Sequence, residues 1–425
     1  MKKIHLRKQL VVIVLVAVIA VSMPFLGSCM PGKPAAEVGP IKIGFLAPMT
    51  GAYASDGEEM IKRATLAVED INAAGGLVGR LVELAPIDTK ELMPEDVVSA
   101  FKLLKAQGVD VFISDYAGEP TDVQMAMAYD IPYFSWNDSR TAERYIAEHI
   151  EECDNVYRVS PSGREYATIP YKIFTELLPY DYPNKKMALL TVDQEWCMDI
   201  SADLRELVAE DPEWEIVIDE EHSYGATEFG PQLIKIRGEN PGFIFFSTFA
   251  AVELAAFMDQ FLADPTDSLI YNPYTPCIPE FAELLGEKAD GMFWGDQCSN
   301  YGTPSEEDFN RKFEEKFGYA PKLALTYDTI MLWAEAVKRA GDPSDYEAVL
   351  QAALDYPYTG IVGTYKINPD THVGTPGFGY IAHRFFQIQI DDGIWKDVVL
   401  YLHDEPHEGT GKYAGSFEIP PWIGE

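Results

Sequence analysis

Side chains that do covalent or metal chemistry are few and scattered here. Seven histidines and five cysteines are spread over 425 residues. No Cys-x-x-Cys occurs and the histidines do not cluster with the cysteines, so the ligand spacing of a structural zinc site is missing. There is no Gly-x-Ser-x-Gly elbow, no glycine-rich phosphate loop closed by lysine and no metal-binding triad. His149, His222, His372 and His383 stand apart and read as solvated side chains. With 68 acidic against 33 basic residues, a pair of carboxylates is the one catalytic arrangement that composition leaves open. No catalytic residue, metal ligand or cofactor is assigned. What remains is recognition chemistry: Tyr53, Tyr116, Trp136, Trp196 and Phe249 each fall in a loop after a predicted strand. A pocket lined by them would favour an apolar, aromatic or amide-bearing ligand.

The N-terminus sets the compartment. Lys2, Lys3, Arg7 and Lys8 precede an unbroken apolar run over 10–20. That run is short of the roughly 20 residues a membrane span needs and fits the core of a signal peptide. Leu26-Gly27-Ser28-Cys29 follows and resembles a bacterial lipobox, which implies cleavage before Cys29 and lipidation of its thiol. Residues 1–28 are thus expected to be a signal peptide, and 29–40 a lipidated cysteine with a Pro- and Gly-rich tether. The expected location is extracytoplasmic, held to the membrane by lipid. The net charge of −35 becomes about −39 once the four basic residues of that peptide are removed, a surface that repels nucleic acid and anionic head groups.

The rest of the chain is long enough for two domains, and its 47% apolar fraction supports true cores. Apolar strands are predicted over 41–47, 81–87, 109–114, 131–135, 187–192, 242–247 and 291–294. Helices are predicted over 56–74, 97–106, 121–129, 201–210, 252–262 and 325–340. The first helix presents Met60, Ala64, Ala67, Val68 and Ile71 on one face, and Gly75-Gly76 stops it. Buried strands alternating with helices predict an α/β fold of doubly wound parallel sheets. Two such runs, before and after about residue 160, suggest two lobes. Segments 384–390 and 396–402, with Asp391-Asp392-Gly393 between them, read as a β-hairpin.

One long stretch carries a family resemblance. From Ile41 to Leu84 the order is Pro48-Met49-Thr50-Gly51, Gly57, Ala67-Val68, Ile71-Asn72, Gly75-Gly76, then Gly79-Arg80, with Asp88 just beyond. This resembles the opening of the branched-chain amino-acid-binding family of type I periplasmic binding proteins. Gly51 and Gly57 would let the strand–helix loop turn tightly, and the Asn72 amide would bond backbone at the helix end. The resemblance implies two doubly wound lobes, 41–159 plus 297–375 and 160–296 plus 376–425. It implies three hinge crossings near 160, 296 and 376 and a ligand cleft at the carboxyl ends of the strands. The implied function is that of the solute-binding component of an ABC importer, its partners a small-molecule ligand, a permease and its ATPase subunits.

In that family, Ser/Thr hydroxyls and backbone N–H groups hold an amino acid's carboxylate, while an acid and carbonyls hold its ammonium. Carried over residue by residue, the loop after 109–114 offers only the backbone at Ala117 and Gly118, with Tyr116 beside them. The loop after 131–135 offers Ser139, next to Trp136 and Asn137. The first hinge offers Ser162 where an Asp is common. Tyr274 stands where a Glu is common. The two departures weaken the amino-acid reading, although Glu119, Asp193 or Glu195 could substitute for the missing acid, and leave hydrophobic amino acids, amides and aromatic acids as candidate ligands. Cys277 and Cys298 each follow a predicted strand on the cleft side and form a possible disulfide pair; Cys153 and Cys197 are expected unpaired. The alternative function is a ligand-sensing lipoprotein that signals through a separate membrane receptor. Neighbouring genes would discriminate, permease and ATPase favouring transport and a kinase favouring sensing.

Overall fold

The computed structural model describes residues 39–51, 53–299, 304–377, 379–402, 405–406 and 416–424. The expected signal peptide, Cys29 and nearly all of the tether lie outside the described residues. The first half runs β1 (Ile41–Ala47), α1 (Ala54–Ala73), β2 (Val82–Asp88), α2 (Pro94–Gln107), β3 (Val111–Ser114), α3 (Thr121–Met127), β4 (Tyr133–Ser135), α4 (Arg140–Glu148) and β5 (Val156–Arg158). Its five strands form a parallel sheet of order β2-β1-β3-β4-β5. Strand β1 is apolar along nearly its whole length because helices cover both faces of the sheet. Helix α1 buries the predicted face of Met60, Ala64, Ala67, Val68 and Ile71. Asn72 then clamps the helix end to β2, donating to Val82 O and accepting from Val82 N, both at 2.8 Å.

The second half runs α5 (Glu165–Lys172, extended by a π-helical turn Ile173–Leu177), β6 (Lys186–Val192), α6 (Glu195–Glu210), β7 (Glu215–His222), α7 (Gly230–Glu239), β8 (Phe243–Ser247), α8 (Ala251–Leu262), β9 (Leu269–Pro273), α9 (Pro279–Leu285) and β10 (Phe293–Asp296). Three helices follow, α10 (Pro304–Phe317), α11 (Leu325–Ala340) and α12 (Tyr346–Asp355). A small ribbon pairs β11 (Tyr358–Thr359) with β12 (Thr364–Tyr365), before β13 (Arg384–Asp391), β14 (Ile394–Leu402) and β15 (Glu405–Pro406). The second sheet has the order β15-β14-β13-β10-β9-β8-β6-β7, parallel from β7 to β10 and antiparallel from β13 on. The predicted hairpin is β13–β14, turning at Asp392 (φ 51°) and Gly393 (φ 74°), the left-handed pair of a type I′ turn.

Helices α10 and α11 return to the first sheet. Tyr327 donates to Asp70 at 2.7 Å and Lys312 pairs with Asp70 at 2.9 Å. The segments that pass between the sheets lie side by side, with Gly374 N donating to Ser160 O at 2.8 Å and Gln297 Nε2 to Ser162 O at 3.0 Å.

Three expectations are corrected. His372 and His383 are buried rather than solvated. The predicted elements omit β5, β7 and β9 and the helices α4, α5, α7, α9, α10 and α12; β5 is only three residues long and β7 is a mixed-polarity edge strand. Cys277 and Cys298 are free buried thiols, as are Cys153 and Cys197. Adjacent strand ends bring Cys277 and Cys298 near each other, but a disulfide also demands a specific dihedral that proximity does not supply.

Candidate functional site

In both sheets the loops after the parallel strands emerge at the carboxyl edge, and these loops face each other across a cavity of about 250 Å³. The first sheet contributes Tyr53 and Asp56 beyond β1, Glu91, Leu92 and Met93 beyond β2, Asp115, Tyr116, Gly118 and Glu119 beyond β3, and Trp136, Asn137 and Asp138 beyond β4. The second contributes Tyr166 from α5, Gln194, Glu195 and Trp196 beyond β6, Phe249 beyond β8, Tyr274 beyond β9 and Cys298 beyond β10. Leu325, which opens α11, completes the lining. The β1–α1 loop can fold this tightly because of its glycines: a Cβ on Gly57 would sit 1.9 Å from Pro48 O, and Gly51 has φ +89°.

The second sheet supplies an aromatic wall centred on Trp196. Its ring lies 5.0 Å from Tyr166, 6.1 Å from Phe249 and 6.3 Å from Tyr274, all at steep angles. Phe249 in turn stacks on Tyr53 at 5.5 Å, and Trp136 meets Tyr365 edge-on. Such edge-to-face packing holds large rings at fixed angles around a cavity.

The first sheet supplies an acidic wall. Asp56 accepts from Tyr116 Oη at 2.8 Å and, across the cleft, from Tyr274 Oη at 3.2 Å. Asp138 accepts from Trp196 Nε1 at 2.9 Å, again across the cleft. Tyr53 Oη donates to Gln194 Oε1 at 2.9 Å. These bonds hold the two sets of loops together. Tyr274 adopts φ 70°, ψ −53°, costly for a residue with a side chain. It is fixed there by Tyr274 N donating to Gly295 O and Thr275 N to Asn272 Oδ1.

Glu91, Glu195, Asp56, Asp115, Glu119 and Asp138 all line the cavity, and among the described residues no Lys, Arg or His does. Two buried arginines stand behind the wall. Arg63 donates to Thr326 Oγ1 at 2.9 Å and pairs with Asp115 at 3.2 Å. Arg158 is 1% exposed and acts electrostatically on Asp138 and Glu119. Burial pushes the Asp138 carboxyl up to about 6, against the pull of Arg158 and hydrogen bonds from Tyr166 and Trp196. Burial also raises Glu119, reinforced by Asp122, Glu195 and Asp138. Asp56 and Asp115 are raised by burial, with Arg63 opposing. Asp115 Oδ1 is buried with no hydrogen-bond partner.

Of the residues named from sequence, Tyr53, Tyr116, Gly118, Trp136, Asn137, Trp196, Phe249 and Tyr274 line one cavity. Ala117, Ser139 and Ser162 do not. Ala117 packs in the core under the first sheet. The Ser139 hydroxyl caps α4 by accepting from Ala142 N at 3.2 Å. The Ser162 hydroxyl donates to Glu143 at 2.7 Å. Asn137 reaches the cavity, but its amide donates to Asp122 at 3.0 Å and accepts from Ser139 N at 3.1 Å. Sequence reasoning missed Asp56, Glu91, Leu92, Met93, Asp115, Tyr166, Gln194 and Leu325 as lining residues. Asp56 was accessible as the acid of the first turn of α1, beside the Gly57 already singled out.

The family described as "Periplasmic binding protein" matches residues 40–393. The Leu/Ile/Val-binding protein homolog 7 of Brucella abortus is 30% identical over 134 residues, 30% of this chain and 31% of that protein. The match thus spans about a third of that relative's length. A leucine-, isoleucine-, valine-, threonine- and alanine-binding protein of Pseudomonas aeruginosa is 21% identical over 314 residues, 73% of this chain and 81% of that one. Among solved structures, a putative branched-chain amino acid ABC transporter from Silicibacter pomeroyi superposes with TM-score 0.78 at 23% identity, covering 90% of this chain and 100% of that one. A solute-binding protein of R. palustris in complex with benzoate gives TM-score 0.71 at 20% identity, covering 89% and 99%. These structures share the fold.

Proposed function

The chain belongs to the periplasmic binding protein family, and from that premise we propose that it is the extracytoplasmic solute-binding component of an ABC importer. It captures a small molecule in the interlobe cavity and hands it to a permease with its ATPase subunits. The observation that carries this reading is the cavity itself: loops from two parallel sheets converge on about 250 Å³ and hydrogen-bond across it through Asp56–Tyr274 and Asp138–Trp196. An aromatic-lined cleft whose walls come from opposite sides of a hinge suits capture by closure. The lobes are 41–159 plus 297–375 and 160–296 plus 376–425, hinged where Ser160, Gln297 and Gly374 run together. Lipidation at Cys29 holds the protein at the membrane. Thermal unfolding of the full-length chain with leucine, isoleucine, phenylalanine, short amides and aromatic carboxylates, beside cationic amines, tests this reading. A ligand that binds only the folded state raises the melting temperature by mass action. A flat response across the panel, together with unchanged small-angle scattering, would count against solute capture.

A further inference from the structure

The composition of the cavity walls says more than that a solute binds. This inference rests on the solute-binding reading and asks which solute. A zwitterionic or anionic ligand needs donors for its carboxylate; the expected hydroxyl and amide donors are engaged elsewhere, which leaves the buried Trp136 Nε1 as an unpartnered side-chain donor in the lining, against six carboxyl groups. Ser139 caps a helix, Ser162 donates to Glu143, and the Asn137 amide donates to Asp122. Among the described residues no basic side chain lines the cavity to replace them. Acceptors are in excess instead. Glu119 is crowded by the negative charges of Asp122, Asp138 and Glu195, and Asp115 keeps an unpartnered oxygen at 2% exposure. Facing them are the rings of Trp196, Phe249 and Tyr274, whose π-faces attract cations.

We propose that the cavity takes an organic cation, an alkylammonium compound without a free carboxylate. Its charge is met by Asp138 and Glu119, and its alkyl surface by Trp196, Phe249 and Tyr274. A carboxylate accepting from an ammonium, or facing a quaternary one, makes the stronger charge-assisted kind of contact. The aromatic wall adds cation–π attraction. The same ring-and-carboxylate arrangement repels an anion such as an aromatic acid.

The test is calorimetric titration of the full-length chain with choline and butylammonium as cations. The neutral carbon isostere of choline, in which a quaternary carbon replaces the nitrogen, separates charge from shape. Leucine and benzoate serve as zwitterion and anion. The expected result is that a cation binds at least about tenfold more tightly than the neutral isostere. Asp138→Asn, whose amide oxygen still accepts from Trp196, should erase most of that margin by lowering the cation's affinity far more than the isostere's; a merely structural role would lower both alike. Cations binding no better than the isostere overturn the inference, as does a margin that survives Asp138→Asn and Glu119→Gln together. Binding of leucine or benzoate alone overturns it while leaving the solute-binding reading intact. Binding by none of the panel counts against both.

Discussion

Acidification should weaken the capture of a cation in proportion to the protonation of one buried carboxyl. In the ligand-free protein Asp138 is held up to about 6 by burial. Arg158, Tyr166 and Trp196 face it and pull downward, and Glu119 lies within electrostatic reach of it. A bound cation favours the ionised form and lowers this value, so binding below that point must expel a proton. With a bound-state value at or below the ordinary carboxylate range, affinity at about pH 5 is roughly tenfold weaker than at about pH 7.5. Glu119, also raised, carries the same trend to higher pH. Stability of the free protein responds with the opposite sign. The folded state binds this proton more tightly than the unfolded chain, whose value is 3.8. The group's contribution is therefore most favourable below 3.8 and is lost as pH rises to about 6, in all roughly 3 kcal/mol. Calorimetry with choline in buffers of differing ionisation enthalpy reads both the affinity and the protons released. Asp138→Asn should flatten the profile and abolish most of the proton release. An affinity that stays level between those two pH values, or that improves toward acid, would refute the reasoning.

Other outcomes follow from the same structure. Asp328 is fully buried and accepts from Ile361 N at 2.9 Å, Val362 N at 2.8 Å and Tyr365 Oη at 3.0 Å. Asp328→Ala strands these donors and should cost about 3 kcal/mol or more of stability, seen as a lower urea midpoint. Ligand affinity of the folded variant should be little changed, because Asp328 lies outside the cavity. Tyr274→Phe removes a hydrogen bond across the cleft to a buried acid and should weaken ligand affinity by about tenfold, chiefly through faster release in stopped-flow measurements. Cys29→Ser should abolish incorporation of labelled fatty acid in a bacterial host and move the protein from membrane to soluble fractions. Cys153, Cys197, Cys277 and Cys298 should all react as thiols in denaturant without reductant, and prior reduction should add none.

The sequence by itself determined the layered α/β fold, because each of its signals is local. A strand buried on both faces must be apolar throughout, as β1 is, and a helix packed on a sheet must repeat its apolar face as α1 does. The Asp-Gly turn of the hairpin and the Asn72 clamp are equally local. Parallel strands send their following loops to one edge, so aromatic residues in those loops, such as Trp136, Trp196 and Phe249, are legible in the sequence as lining residues. Ser139 reads from sequence as a ligand contact, and the helix α4 that it caps is not among the predicted elements at all.

The acidic wall was decided by tertiary structure alone. In a chain with 68 acidic residues no single aspartate stands out, and nothing in their spacing joins Asp56, Asp115 and Asp138. They come from the ends of three different strands and converge because β1, β3 and β4 are neighbours in the sheet. Likewise the arginines that could have neutralised them are near in space but turned behind the wall, Arg63 against Thr326 and Arg158 beneath Asp138. Local pattern fixes what a segment becomes; the charge inside a cavity depends on which side chains from distant segments face it, and only the folded chain sets that.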